Sequence, residues 1–507
     1  MARTRHLGCS WTSRARSRQD ERPKRLRCAC GNSRRFALDN FVEDLYLKDY
    51  AKYSFWLEAA ADGLAPRPAL QGSLTVDVAI LGGGYSGLWT AYYLLRANPG
   101  LQVAILEKEI VGFGASGRNG GWCSSRFPIT PEVLEERYGA EAARQLILAM
   151  FASVDEVGRI CTEEGIAADY RKGGILSLAR GAHQLPTIQA SYAAYERLGL
   201  QDHFKLLRVE ECNERVRVTN VQGGLYTREG ASLHPGRLVR GLAAVVERRG
   251  GAIYENTDVT EVRSGSDARL ITPTGELRAK RAILLAGEAY LTRLRQYHRS
   301  LLPMYSLISL TEPLKEEQWR AIGWQMYESL ASNRFTVDYL TRTADGRILF
   351  GSRGAPYAFG SRISDQQDVH EPTFNRVHRA VVEWFPTLRG IHFTHNWGGP
   401  VGVPRDWMPS VQFDPASRLG IIRGYTGQGV ATSNLAGRLL SSLIGNCPSG
   451  LEKLPLAHHH SPDWEPEPLR WLVVRYMQKA FQRIDETLEA GRPRPWDARI
   501  AETLFRH

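Results

Sequence analysis

The strongest chemical signature in the chain is the pattern Gly82-x-Gly84-x-x-Gly87, followed twenty residues after Gly87 by the acid Glu107. These residue types at these spacings can hold a dinucleotide. Gly82 permits a tight turn, Gly84 lets a pyrophosphate approach the backbone with no Cβ in the way, and Gly87 lets a helix pack close to the preceding strand. Glu107 stands where the hydroxyls of an adenosine ribose would be bonded, and its charge would repel the 2′-phosphate of NADP. Tyr85 and Ser86 fill the variable places of the loop, and Lys108 follows the acid.

The elements that must position these residues are legible around them. Residues 76–81 form a short, apolar, β-branched run suited to a central parallel strand. Residues 88–95 continue as a largely apolar helix, whose N-terminus offers unpaired N–H groups and about half a positive charge to phosphate. Asn98-Pro99-Gly100 ends that helix, and residues 102–106 make a second strand leading to Glu107. Strand, loop, helix, strand and acid fall together as one βαβ unit. A second glycine-rich segment, Gly112-Phe113-Gly114-Ala115-Ser116-Gly117-Arg118-Asn119-Gly120-Gly121, follows directly. Its five glycines allow close backbone contact with a ligand.

With that segment the sequence resembles the D-amino-acid oxidase/sarcosine oxidase (DAO) family of FAD-dependent oxidoreductases. It is most similar to the branch containing gamma-glutamylputrescine oxidase, in which such a segment runs from the ribose toward the flavin ring. The resemblance extends over about residues 45–450 and implies FAD contacts at Gly114, Ala115, Ser116, Asn119, Gly120 and Gly121. Ser232-Leu233-His234-Pro235 and an apolar helix over 238–246 lead into a strand at 251–259, where Val259 is expected to bond the adenine through its backbone. A further buried strand ends in Ala286-Gly287 against the cofactor. The next residue is Glu288 where the family usually has Asn, so no role is carried onto it. Asp406-Trp407-Met408-Pro409 resembles the family's D-x-x-P element. A last glycine loop then supplies Gly427, Gln428, Gly429 and Val430, with a helix beginning near Val430. That helix is expected to aim its positive end at the pyrimidine edge of the flavin, where hydride acceptance places negative charge. Many relatives have His where Gln428 stands. Members with covalent flavin carry His or Cys at particular positions. Here Arg118-Asn119 and Ala355-Pro356-Tyr357 occur instead, which predicts non-covalent FAD.

The implied fold class is mixed α/β: a Rossmann-like FAD-binding domain with an inserted antiparallel-sheet substrate domain. The expected organisation is a disordered basic leader (1–40), an N-terminal helical segment (41–72), the oxidoreductase body (73–450) and a C-terminal helical extension (451–507). Within the body, about 73–150, 225–300 and 395–450 are assigned to FAD, and 151–224 and 301–394 to the substrate domain. Residues 335–342 and 347–351 read as a hairpin around Ala344-Asp345-Gly346.

The implied reaction is oxidation of a C–N bond. Hydride passes from the carbon beside nitrogen to flavin N5, water hydrolyses the imine, and dioxygen takes the electrons to become hydrogen peroxide. Tyr339, Trp397 and Tyr425 are candidates to wall the site, and Arg353 is a candidate to pair a substrate carboxylate. Each has an ordinary packing or solvation role as its alternative, and no catalytic base is assigned. Ser54-Phe55-Trp56 resembles an element that packs over the active site, with core packing the alternative. Two further functions stay open: a dehydrogenase of the same fold passing electrons to a quinone or carrier, and a non-catalytic flavin-binding accessory subunit.

The net charge of +11 does not by itself indicate nucleic acid. Residues 1–35 hold eleven Lys/Arg against two Asp/Glu, which leaves 54 basic and 52 acidic residues in the remainder. The basic leader reads as disordered, as a transit peptide or as a start-site extension. Seven dispersed cysteines fit a reducing cytoplasm, and neither a transmembrane segment nor a metal-ligand set is expected. His458-His459-His460 reads as an exposed loop rather than a metal site. The sequence near 469–488 has helical spacing. It is expected to brace the flavin domain, with a dimer or membrane-surface contact as alternatives. The oligomeric state does not follow from the sequence.

Overall fold

The computed structural model describes residues 48–60 and 64–506; the basic leader, with three of the seven cysteines, lies outside them. The first sheet has Gly72–Leu81 at its centre, as its uninterrupted apolar end requires: Val78, Ala79 and Ile80 are fully buried. On one side it pairs in parallel with Val103–Leu106, which pairs in parallel with Ala252–Tyr254. On the other it pairs in parallel with Gly275–Leu285, followed by Leu419–Arg423 and the antiparallel edge strand Ser410–Asp414. Arg269–Thr272 and Glu261–Arg263 extend the early part of Gly275–Leu285 as an antiparallel flap. The chain therefore leaves the central strand in opposite directions, and the crevice at the strand ends is the place where such sheets bind ligands.

Two helices meet over this crevice, Tyr85–Ala97 and Gly429–Gly445. They cross through Gly437, where a Cβ would fall 2.6 Å from that of Trp89. A side chain there would push the two N-termini apart.

The second sheet runs in the order Phe393–Val403, Leu302–Thr311, Ile348–Arg353, Asp338–Arg342, Ser329–Ser332, Ile175–Arg180, Val221–Thr227 and Phe204–Leu207. It is mixed rather than purely antiparallel, because Ser329–Ser332 runs parallel to Ile175–Arg180. Those strands come from separate stretches of the chain and are not joined by a hairpin, so their direction is free. The hairpin forms as expected, with Arg342 opposite Ile348 and Gly346 at a φ of 81°. Its first strand begins only at Asp338, since Val337 takes a φ of 61°. Segment boundaries at 225 and 395 both fall inside strands of this second sheet, Val221–Thr227 and Phe393–Val403.

The C-terminal helix Leu469–Glu489 corrects an expectation. It docks chiefly on the second sheet and its loops, while Trp471 and Val474 also share a cluster with Trp407, just before the edge strand of the first sheet. The buried Asp485 accepts the backbone N–H groups of Phe335 and Thr336 at 3.0 and 2.9 Å and the Thr336 hydroxyl at 2.8 Å. Those three bonds fix where the helix docks. Among the described residues no helix is long and apolar enough to cross a membrane.

Candidate active site

Between the two sheets lies a cavity of about 1330 Å³. This exceeds the roughly 300–1,000 Å³ usual for one small ligand and leaves room for a dinucleotide and a second molecule. The cavity begins at the first glycine loop. Gly82 takes a φ of 107°, and a Cβ there would lie 2.7 Å from the carbonyl oxygen of Ala286. A Cβ on Gly84 would lie 3.0 Å from Ser116 Oγ, the same hydroxyl that accepts the Tyr85 N–H at 2.9 Å. Three predicted segments, 82–87, 114–121 and 286–287, thus pack too closely against one another to admit side chains there, and each lines the cavity.

Glu107 lines the same cavity. It accepts the N–H of Gly83 at 2.7 Å and that of Glu109 at 3.0 Å, so its carboxylate is already oriented. Burial pushes its pKa up to about 7, against the pull of those two N–H groups. Lys108 pairs with Asp258, next to Val259 at the cavity rim. Gly87 sits behind the cradle, with a would-be Cβ 2.2 Å from the Gly82 carbonyl. Its task is helix–strand packing, as its place in the pattern requires. Gly121 also stands outside the lining and makes a turn against Leu233.

Asn119 faces inward and caps its own short helix. It donates to the carbonyls of Ala115 and Ser116 and accepts the Gly121 N–H at 2.9 Å. Arg118 is buried in the cavity lining, bonded to Asp368 at 2.8 Å and to the Tyr290 hydroxyl at 2.7 Å.

Gly427, Gln428, Gly429 and Val430 form the N-terminal end of Gly429–Gly445 and line the cavity. Two residues hold that end in place. The Tyr425 hydroxyl bonds Ser86 Oγ at 2.7 Å, tying the last glycine loop to the first helix. Glu288 accepts the N–H groups of Gly424 and Tyr425 at 2.9 and 2.8 Å. The sequence alone assigns Glu288 no role; its departure from the usual Asn is the available signal. Burial raises its pKa to about 7 despite the backbone donors.

On the opposite wall, Tyr339 lies between Gly120 and Gly351, where a Cβ would approach its ring within 2.4 and 1.9 Å, and its hydroxyl bonds Ser306 Oγ at 2.8 Å. Burial raises its pKa to about 12. Arg353 is the charged group of this wall. Its Nη2 donates to the Thr426 carbonyl at 2.9 Å and its guanidinium lies 5.5 Å from the centre of the Trp407 ring. Among the described residues no Asp or Glu carboxylate pairs with it, and burial lowers its pKa.

Trp397 is a correction. It does not line the cavity; its indole is buried with Trp56, Ile308 and Leu349, and donates to the Arg118 carbonyl at 2.9 Å. It lies where the strand passes from a half-exposed start, with Thr394 and Asn396 exposed, to a part covered on both faces, so an aromatic there need not point to the ligand side. Trp56 behaves likewise, donating to the Asn119 carbonyl at 2.7 Å and packing on His234. Ser54 caps its helix and bonds the Gly117 carbonyl at 2.8 Å.

His459 is half-buried and bonds Asp406 at 2.7 Å and Tyr138 at 2.9 Å, so it ties a loop to the end of the helix Pro131–Tyr138. Among the described residues no cluster of three or more His, Cys, Asp or Glu side chains is arranged to hold a metal.

Comparison with known proteins places this geometry. A family model described as "FAD dependent oxidoreductase" (DAO) matches residues 77–443. The gamma-glutamylputrescine oxidoreductase of Escherichia coli K12 is 32% identical over 394 residues, covering 77% of this chain and 88% of the relative. The glycine oxidase of Geobacillus kaustophilus is 24% identical, covering 75% of this chain and 96% of the relative. Among solved structures, L-proline dehydrogenase from P. horikoshii superposes with a TM-score of 0.62 at 19% identity, covering 77% of this chain and 96% of that one. Glycine oxidase from Geobacillus kaustophilus gives a TM-score of 0.62 at 20% identity, covering 76% of this chain and all of that one.

Proposed function

The chain belongs to the FAD dependent oxidoreductase (DAO) family, and from that premise we propose that it oxidises the C–N bond of an amine or amino acid in the cavity between its two sheets. Bound FAD would supply the redox chemistry, accepting hydride from the substrate and yielding the electrons to dioxygen or a carrier. The cradle fits this cofactor, because the three glycine segments line the cavity with bare backbone beside the N-terminus of Tyr85–Ala97.

The roles of the chain's residues follow from their places. Gly82, Gly84 and the N-terminus of Tyr85–Ala97 would hold the pyrophosphate, and Glu107 would hold the ribose. The N-terminal end of Gly429–Gly445, which lines the cavity, would stabilise negative charge on the reduced cofactor. Tyr339 and Tyr425 wall the chamber and limit water. Arg353 holds the substrate carboxylate.

The single observation that carries the substrate side is the isolation of Arg353. A buried guanidinium without a carboxylate partner is costly, and a ligand carboxylate accepting its N–H groups would remove that cost. Substrates are therefore amines that also bear a carboxylate. The products are an imine, hydrolysed by water to a carbonyl compound and free amine, and hydrogen peroxide when dioxygen is the acceptor.

Anaerobic mixing of the FAD-loaded protein with a panel of amines and amino acids tests this reading. Bleaching of the flavin by amino acids, followed by peroxide on admitting air, is the expected result. Bleaching without peroxide in air transfers the electrons to a carrier instead. No bleaching by any amine would remove the enzymatic reading.

A further inference from the structure

The helix Leu469–Glu489 lies beyond the matched residues 77–443, yet it forms part of the cavity. Val474, Gln478, Phe481 and Asp485 succeed one another at spacings of four, three and four, which places them on one face of the helix. That face is apolar at two positions and polar at the other two, and each polar group is matched to the opposite wall. Gln478 accepts the Tyr357 N–H at 3.1 Å and donates to the Ala355 carbonyl at 3.1 Å. Asp485 takes the three donors of Phe335 and Thr336. Between these anchors, Phe481 stacks on Phe335, with ring centres 5.1 Å apart and planes within 11°. Val474 packs with Leu302, Tyr357 and Val403.

This face is connected directly to the carboxylate site. The Thr336 carbonyl accepts the backbone N–H of Arg353 at 3.1 Å and the Ser352 hydroxyl at 3.2 Å. The stacked pair Phe335–Phe481 is therefore one residue removed from a group bonded to Arg353, and all of these residues except Ser352 line the same cavity.

We propose that Leu469–Glu489 is the outer wall of the substrate chamber and that the Phe335–Phe481 pair selects substrates with an apolar, preferably aromatic, group beyond the carboxylate. The inference rests on Arg353 as the carboxylate site and adds the class of side chain. The wall couples two recognition elements: a cation for the carboxylate, and a flat apolar surface for the group attached to it. Phe481 acts by contact with the substrate. Asp485 is a positioning residue that acts through Thr336.

The test uses the full-length FAD-loaded protein and three non-reacting probes, acetate, benzoate and 4-phenylbutyrate, titrated by the change they cause in the flavin absorption spectrum. The wild type is expected to bind an aryl carboxylate at least tenfold more tightly than acetate. Phe481→Ala and the volume-keeping Phe481→Leu are expected to lose most of that preference while acetate affinity stays within about twofold. Arg353→Met is expected to weaken all three probes. If the Phe481 variants keep the aryl preference while Arg353→Met weakens every probe, the wall inference fails and the carboxylate reading stands. If Arg353→Met leaves acetate binding unchanged, the carboxylate reading fails. A wild type that binds acetate as tightly as the aryl probes also overturns the proposed selectivity. Phe481→Leu supplies the answer should Phe481→Ala fail to retain FAD.

Discussion

The two walls of the cavity are built on opposite principles. The proposed dinucleotide wall is made mainly of backbone: glycines take the place of side chains, helix ends present N–H groups, and one carboxylate is held by two backbone donors. The proposed substrate wall is made of side chains from distant stretches: Tyr339, Arg353 and Phe481 converge on the cavity from two strands and a C-terminal helix. A backbone site tolerates little change at its few glycines. A side-chain site can be altered in specificity one residue at a time while the cofactor stays bound.

That contrast can be broken, most forcefully at the first wall. Gly82→Val should abolish FAD binding, since its φ of 107° and the Ala286 carbonyl 2.7 Å away leave no place for a side chain. Flavin-to-protein absorbance of the purified variant checks it, and a fully yellow protein would break the comparison. On the second wall, Arg353→Met should keep FAD but lower kcat/KM for carboxylate-bearing amines by about 100-fold, equivalent to roughly 2.7 kcal/mol. An amine lacking a carboxylate should lose far less.

Smaller effects sharpen the contrast. Asp485→Ala removes the acceptor of three hydrogen bonds and should cost about 3 kcal/mol of stability, with FAD still bound; thermal unfolding of the holoenzyme measures it. Glu288→Gln should change the pH dependence of apoprotein stability. Its folded pKa of about 7 lies above the ordinary 4.5, so the folded state binds the extra proton. Its contribution is present below about pH 4.5 and lost as pH rises through 7. The Gln variant should show a shallower loss between those values, read by urea unfolding at stepped pH. An unchanged slope would mean that Glu288 is not the group responsible.

The same contrast explains how much is legible in the sequence. The backbone wall is local: Gly82, Gly84, Gly87 and Glu107 fall within one βαβ unit, and each glycine has a steric reason at its own position. Tyr339, Arg353 and Tyr425 are candidates from the sequence, and all three line the cavity. Trp397 is a candidate on the same grounds but is turned into a buried cluster. Where a strand is covered on both faces, periodicity does not distinguish the ligand side from the core. Helical spacing reveals the helix of Leu469–Glu489 without its partner, because docking depends on Asp485 meeting a loop about 150 residues earlier. The signal present in the sequence is Gln478 and Asp485 interrupting an otherwise apolar stripe. Glu288 is equally visible as a departure from pattern, but its bonds to Gly424 and Tyr425 require the fold.

Acid precipitation addresses how FAD is held, with yellow supernatant and colourless pellet expected for non-covalent binding. The central claim, that one wall binds cofactor and the other binds substrate, is tested most directly by the absorption spectra of two purified variants before and after anaerobic addition of an amino acid that bleaches the wild type. Gly84→Val should be colourless throughout. Arg353→Met should be as yellow as the wild type and should fail to bleach on the same timescale. A yellow Gly84→Val protein, or an Arg353→Met protein that bleaches at the wild-type rate, would contradict the account.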